Sequence, residues 1–235
     1  MPDARLDPPL SSPTYAVRAP LVRWLAGEAR RAHADLGPLR VLDAGCGSKP
    51  YLPLFAPYAT EYVGVDPADV PAADLRGRVE ALPVADASFD VALCVQVLEH
   101  ADDPAAAVRE LARATVPGGR VLASTHGVMV YHPSPETDYW RWTAAGLERL
   151  FRENADWASV RVTPASGTTA CLGMITALYL DILAQKAHAR SLARPLVAGL
   201  NAAARAVDAR VPALSEPRRP GTLFANLHVV AERSS

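Results

Sequence analysis

The chain has 235 residues, half of them apolar and 21% charged, with 24 basic against 25 acidic side chains. That length allows one large domain with a substantial core, and the composition excludes a disordered chain. A formal net charge of −1, with the basic residues dispersed, excludes the basic stripe that gathers nucleic acid, so no nucleic-acid partner is expected.

Residues 1–14 are rich in proline and lack a basic region followed by an apolar core, so they read as a loose arm ahead of one domain at 15–235. Val17, Leu21, Trp24 and Leu25 recur at helical spacing and predict a helix over 15–34, stopped by Gly37-Pro38. Apolar runs at 39–43, 62–66 and 89–95 read as buried parallel strands, with a further strand near 78–81. Asp102-Asp103 followed by Pro104 caps a helix carrying Val108, Leu111 and Ala112; Pro117-Gly118-Gly119 stops it before a strand at 120–124. A histidine- and aromatic-rich loop (126–142), a helix (143–154), a strand (157–162) and a helical stretch (168–210) follow. A Pro/Arg-rich linker (212–220) then leads to a last strand at 223–230.

Strands alternating with helices predict an α/β fold with a mostly parallel, doubly wound sheet, because each parallel pair needs a crossover. Ligands of such sheets bind beyond the carboxyl ends of the strands. Gly45 and Gly47 in the turn after the first strand allow close backbone approach, and Asp66, about twenty residues on, stands where a carboxylate accepts both hydroxyls of a ribose. A dinucleotide fingerprint needs a third glycine where this chain has Pro50, which disfavours NAD.

The run Val41-Leu42-Asp43-Ala44-Gly45-Cys46-Gly47 resembles the first motif of class I S-adenosylmethionine (SAM) dependent methyltransferases. Tyr62-Val63-Gly64-Val65-Asp66, Glu80-Ala81-Leu82-Pro83, Ser88-Phe89-Asp90, Val97-Leu98-Glu99-His100 and Pro117-Gly118-Gly119 resemble later segments of that family, in family order and closest to its type 11 subgroup. The resemblance implies a Rossmann-like sheet of seven strands with an antiparallel last strand, SAM as cofactor and S-adenosylhomocysteine (SAH) as product. It also implies roles: Asp43, Gly45, Cys46 and Gly47 at the methionyl end, Asp66 on the ribose, Pro67 against adenine, Ala81 and Leu82 at the adenine edge, and Val95, Gln96 and His100 near the sulfonium. Arg78 departs from the pattern, standing where many relatives carry an acid toward the adenine amino group.

The expected reaction is in-line transfer of the methyl group to a small-molecule acceptor, with O- or N-methylation favoured. His132 is the leading candidate base and His126 the second, histidine being the side chain that titrates near neutral pH. Tyr139, Arg141 and Trp142 are candidate substrate contacts, with an Asp138–Arg141 pair that only pins the loop as the simpler reading. Leu172, Ile175, Tyr179, Ile182 and Leu183 share one face of the late helical stretch, as core, as a homodimer contact, or as an apolar lid over a lipid-like or aromatic acceptor.

Cys46, Cys94 and Cys171 form no C-x-x-C pair, so no disulfide or metal site is expected, Cys46 and Cys94 read as small buried packing, and the expected location is a reducing cytoplasm. The most apolar stretch, 170–184, is broken by Asp181 and is shorter than the roughly 18–20 residues of a membrane span. A catalytically inactive SAM-binding module and an NAD-dependent oxidoreductase stand as alternatives.

Overall fold

A computed structural model describes residues 5–130 and 137–235. The elements are α1 (Tyr15–Leu36), β1 (Leu39–Ala44), α2 (Leu52–Phe55), β2 (Ala59–Asp66), β3 (Leu75–Arg76), β4 (Phe89–Val95), α3 (Pro104–Ala114), β5 (Thr115–His126), α4 (Ala144–Asn154), β6 (Trp157–Pro164), α5 (Thr168–Lys186), α6 (Arg190–Arg210) and β7 (Asn226–Arg233). A single 3-10 turn, Leu98–His100, follows β4.

The strands form one sheet in the order β3-β2-β1-β4-β5-β7-β6. β1 pairs in parallel with β2 and β4, and β4 with β5, while β7 runs antiparallel to both β5 and β6. This is the expected architecture, with the last strand of the chain inserted between β5 and β6. The strand order reverses between β1 and β4, so the helices diverge there and leave a crevice above the carboxyl ends.

The central strands are apolar on both faces because helices cover both sides. Leu42, Ala92, Val121 and Val229 pack with α3 and α4 residues such as Leu111 and Leu147. On the other face Val41, Val91 and Leu93 meet Leu21, Leu25 and Ala29 of α1.

Several elements differ from the sequence reading: β5 begins at Thr115 and takes in Pro117-Gly118-Gly119, β2 begins at Ala59, and the last strand runs over 226–233 and not 223–230. The third strand lies at Leu75–Arg76 and not at 78–81, where a lone bridge joins Arg78 and Ala81; both of its residues are exposed, so no apolar run marked it. The helical stretch is two helices, α5 and α6, turning at 187–189 through His188 at a φ of 53°. The one-turn helix α2 had no signal of its own.

Residues of the expected arm are docked: the Asn201 side chain donates to the carbonyls of Leu10 (2.8 Å) and Ser12 (3.0 Å), and Pro8 is buried. α5 is long and apolar enough, by length and composition, to cross a membrane. In this fold its first half is packed instead, with Ala170, Cys171, Gly173, Met174 and Ala177 buried.

Candidate active site

The glycine turn after β1 is fixed by sterics. Gly45 has a φ of 80°, and a Cβ there would lie 2.3 Å from Val97 Cγ2, so no larger residue fits without displacing the Val97 side chain. Gly47, at a φ of 48°, meets nothing within 4 Å on its Cβ side. Its amide donates to Asp66 Oδ2 at 2.9 Å, and the Ala68 amide donates to Asp66 Oδ1 at 3.0 Å. The Asp66 carboxylate is thereby oriented at the end of β2, with lone pairs left to accept further donors.

Asp43, next to the turn, is buried, and Tyr62 Oη donates to its Oδ2 at 2.7 Å. Burial pushes its carboxyl up to about 6, against the Tyr62 hydrogen bond and the Lys49 charge, which pull it down. A carboxylate desolvated in this way is stabilised by any cationic group that enters the cavity beside it. The Cys46 thiol is raised to about 11 and Cys94 well above its ordinary value, in both cases chiefly by burial, which leaves them as unreactive packing.

Two cavities open above the carboxyl ends. The first, about 500 Å³, is lined by Asp43, Gly47, Val95, Gln96, Glu99 and His126 among others. The second, about 270 Å³, is lined by Pro67, Arg78, Val79, Glu80, Val97 and Tyr139 among others. Gly45 and His100 line both. The predicted residues Asp43, Gly45, Cys46, Gly47, Val95, Gln96 and His100 thus meet around one crevice, with Pro67 in its second lobe.

Asp66, Ala81 and Leu82 line neither cavity, Asp66 standing at the end of β2 next to the turn that does. The Ala81 amide donates to the Arg78 carbonyl and the Leu82 amide to Glu110 Oε2, so the lining falls on Arg78 to Glu80 instead. Arg78 pairs with Glu80 (3.3 Å) and Asp102 (2.5 Å) at that wall.

Gln96 leaves β4 at a φ of 59°, costly for a residue with a side chain. It is held there by Nε2 donating to Ser124 Oγ at 2.6 Å and by its amide donating to the Ser124 carbonyl at 2.8 Å. Glu99 is fully buried in the 3-10 turn; Thr125 Oγ1 donates to its Oε2 at 2.8 Å, and its Oε1 lies 3.3 Å from His126 Nε2. Burial raises the Glu99 carboxyl to about 7, opposed by its own backbone amide, Thr125 and the Arg141 charge. His126, nearly buried at the end of β5, presents its ring to the first cavity.

His132 lies outside the described residues. Arg141 grips the buried Asp138 through two hydrogen bonds, of 2.6 and 2.7 Å, and also donates to the carbonyls of Met129 and Val130. Trp142 stacks with Trp140 at a centroid distance of 5.6 Å and packs against the core. Of the three candidate substrate contacts, Tyr139 lines the crevice, while Arg141 and Trp142 hold the loop in place. Sequence reasoning missed the wall given by Thr14, Val17, Arg18 and Leu21: helical spacing showed an apolar face at 17 and 21 but not that α1 crosses the crevice.

A family profile described as a methyltransferase domain matches residues 19–161, more than half of the chain. The chain belongs to the class I SAM-dependent methyltransferases. Membership sets aside the oxidoreductase alternative that the absent third glycine already disfavoured.

Among curated proteins, the chain is 37% identical over 118 residues to a "Probable S-adenosylmethionine-dependent methyltransferase" of Mycolicibacterium smegmatis, covering 46% of each chain. It is 38% identical over 110 residues to the ubiquinone biosynthesis O-methyltransferase of Neisseria meningitidis, covering 40% of this chain and 46% of that one. The matches therefore span about half the length of these relatives. Solved structures share the fold: the [4+2]-cyclase SpnF (TM-score 0.55, 20% identity, 89% of this chain and 80% of that one) and the 1,6-didemethyltoxoflavin-N1-methyltransferase of Burkholderia thailandensis (TM-score 0.52, 17% identity, 90% and 78%).

Proposed function

We propose that this chain transfers a methyl group from SAM to a small-molecule acceptor, a hydroxyl in the first instance and an amine in the second. The observation that carries the proposal is the pair of cavities joined at Gly45 and His100, with Asp43 walling the first, Pro67 the second, and Asp66 bonded to the turn between them. The residues fit the cofactor by their own chemistry. The desolvated Asp43 carboxylate suits the methionyl ammonium, the glycine turn leaves room at the backbone, and the oriented Asp66 suits two ribose hydroxyls. Pro67 and Val79 offer apolar surface to an adenine ring.

When bound, SAM supplies an electrophilic methyl group on sulfur and leaves as the thioether SAH. The protein's own task is alignment and proton removal. His126 lines the first cavity with Glu99 Oε1 3.3 Å from its Nε2, so an ionised Glu99 stabilises the ring once it has taken a proton. We assign His126 as the proton acceptor among the described residues, with His132 as the alternative. The hydroxyl preference rests on the ubiquinone biosynthesis O-methyltransferases among the relatives. The three cysteines, all free and buried, support a cytoplasmic location.

The test is a methyl-release assay with labelled SAM and a panel of phenolic and amine acceptors. His126→Ala is expected to lower kcat by about 10²-fold or more with SAM affinity nearly kept. Unchanged turnover in His126→Ala, with loss in His132→Ala, moves the base to His132. Tight SAM binding without turnover on any acceptor makes the chain a SAM-binding module.

A further inference from the structure

The tip of the α5–α6 hairpin is apolar yet lies outside the core. The first half of α5 is packed, and Val197, Asn201 and Ala204 anchor α6, yet not one residue from 178 to 196 is buried. That overhang carries Leu183, Leu192 and Leu196 at 62%, 73% and 65% exposure, with Ile182 and Tyr179 also exposed. At a rise of about 1.5 Å per residue, Leu183, Leu192 and Leu196 lie within about 10 Å, along their helices, of the turn at 187–189. Isolated exposed leucines are ordinary, but several on one projecting tip mark a contact surface.

Charge selects the partner. Between Asp181 and Asp208 the chain carries Lys186, Arg190, Arg194 and Arg205 and no acid. Asp181 engages Arg190 through two hydrogen bonds, of 2.6 and 3.1 Å, which leaves Lys186 and Arg194 as uncompensated cations at the tip. Beside them a cavity of about 420 Å³ is lined by Arg18, Arg190, Arg194 and three serines together with Asp181, whose carboxylate is taken by Arg190, so Arg18 and Arg194 are the cations it offers to an anion. None of the α5 or α6 residues lines the two cavities of the active site, so the tip does not act as a lid over them in this structure. A twofold contact through this face sets one net-positive patch against another, which disfavours a dimer there. Exposed apolar side chains next to cations in the same segment are the pattern of a segment that lies in the interface of an anionic bilayer.

We propose that the α5–α6 tip docks on anionic membrane surfaces, with Leu183, Leu192 and Leu196 entering the interface and Lys186 and Arg194 meeting lipid phosphates. This is peripheral docking, since α5 stays packed over its first half. It is independent of the methyl-transfer reading.

The test is flotation of the full chain with vesicles of phosphatidylcholine alone and of equimolar phosphatidylcholine and phosphatidylglycerol. Binding is expected with the anionic vesicles only, and is lost in about 1 M salt, where charges are screened beyond roughly 3 Å. The Leu192→Ser/Leu196→Ser pair is expected to weaken it at least tenfold. Lys186→Gln/Arg194→Gln, at roughly fivefold per cation, is expected to weaken it about 25-fold. SAH affinity and thermal unfolding should match wild type in both variants, showing that the fold is intact. Three results overturn the proposal: no binding to anionic vesicles, equal binding to both compositions, or binding that neither pair of substitutions weakens. Sedimentation of the same proteins assigns the face to a second copy if Leu192→Ser/Leu196→Ser splits a dimer and vesicles are ignored.

Discussion

The crevice above β1, β2 and β4 and the projecting end of α5 and α6 were built under opposite constraints. In the crevice each backbone turn has a steric or hydrogen-bonding reason: Gly45 under Val97, Gly47 on Asp66, Gln96 on Ser124. At the hairpin tip the side chains are exposed and little there fixes their identity. The contrast teaches where specificity resides. The cofactor crevice is built at the ends of parallel strands, whereas the appended helices are free to meet other partners.

Substitutions can break this contrast. The largest effect is expected from Gly45→Val, which places a Cβ 2.3 Å from Val97 Cγ2 at a positive φ; SAH binding should vanish in calorimetry, with stability lowered by about 2 kcal/mol or more. Asp66→Ala removes the acceptor proposed for two ribose hydroxyls and should weaken SAH by about 100-fold, two charge-assisted hydrogen bonds being worth roughly 1.5–3 kcal/mol each before compensation.

Asp43 should give a smaller, pH-dependent effect. Its carboxyl is raised to about 6, so it is mostly neutral at pH 5 and mostly ionised at pH 7. An ammonium ligand favours the ionised form, so SAH affinity should rise by about tenfold over that interval, and Asp43→Asn should be weak and flat across it. At the other end of the comparison Leu192→Ser, at an exposed site, should change stability by no more than about 0.5 kcal/mol in urea unfolding.

Legibility in the sequence followed the same division. β1, β2 and β4 were readable because strands covered on both faces need apolar runs, and Asp43, Gly47 and Asp66 because strand-end chemistry is local in sequence. β3 escaped because both of its residues are exposed and carry no pattern. The turn between α5 and α6 escaped because Ala187-His188-Ala189 offers neither glycine nor proline where the backbone reverses. His126 was visible as a residue type, but its partner Glu99 was not, since the two meet only when β5 and the turn after β4 are side by side. The apolar residues of α5 were legible too, but the core reading of that face fails: Leu172, Tyr179, Ile182 and Leu183 are exposed, because α5 packs through the smaller Ala170, Cys171 and Ala177 with Met174.

The account rests most heavily on the crevice being a SAM site, and equilibrium titration of the purified chain with SAH and with NAD tests it directly. Saturable one-site binding of SAH, weakened about 100-fold by Asp66→Ala, with no binding of NAD, is the predicted result. Saturable NAD binding without SAH binding, or an Asp66→Ala variant that binds SAH as tightly as wild type, would contradict it.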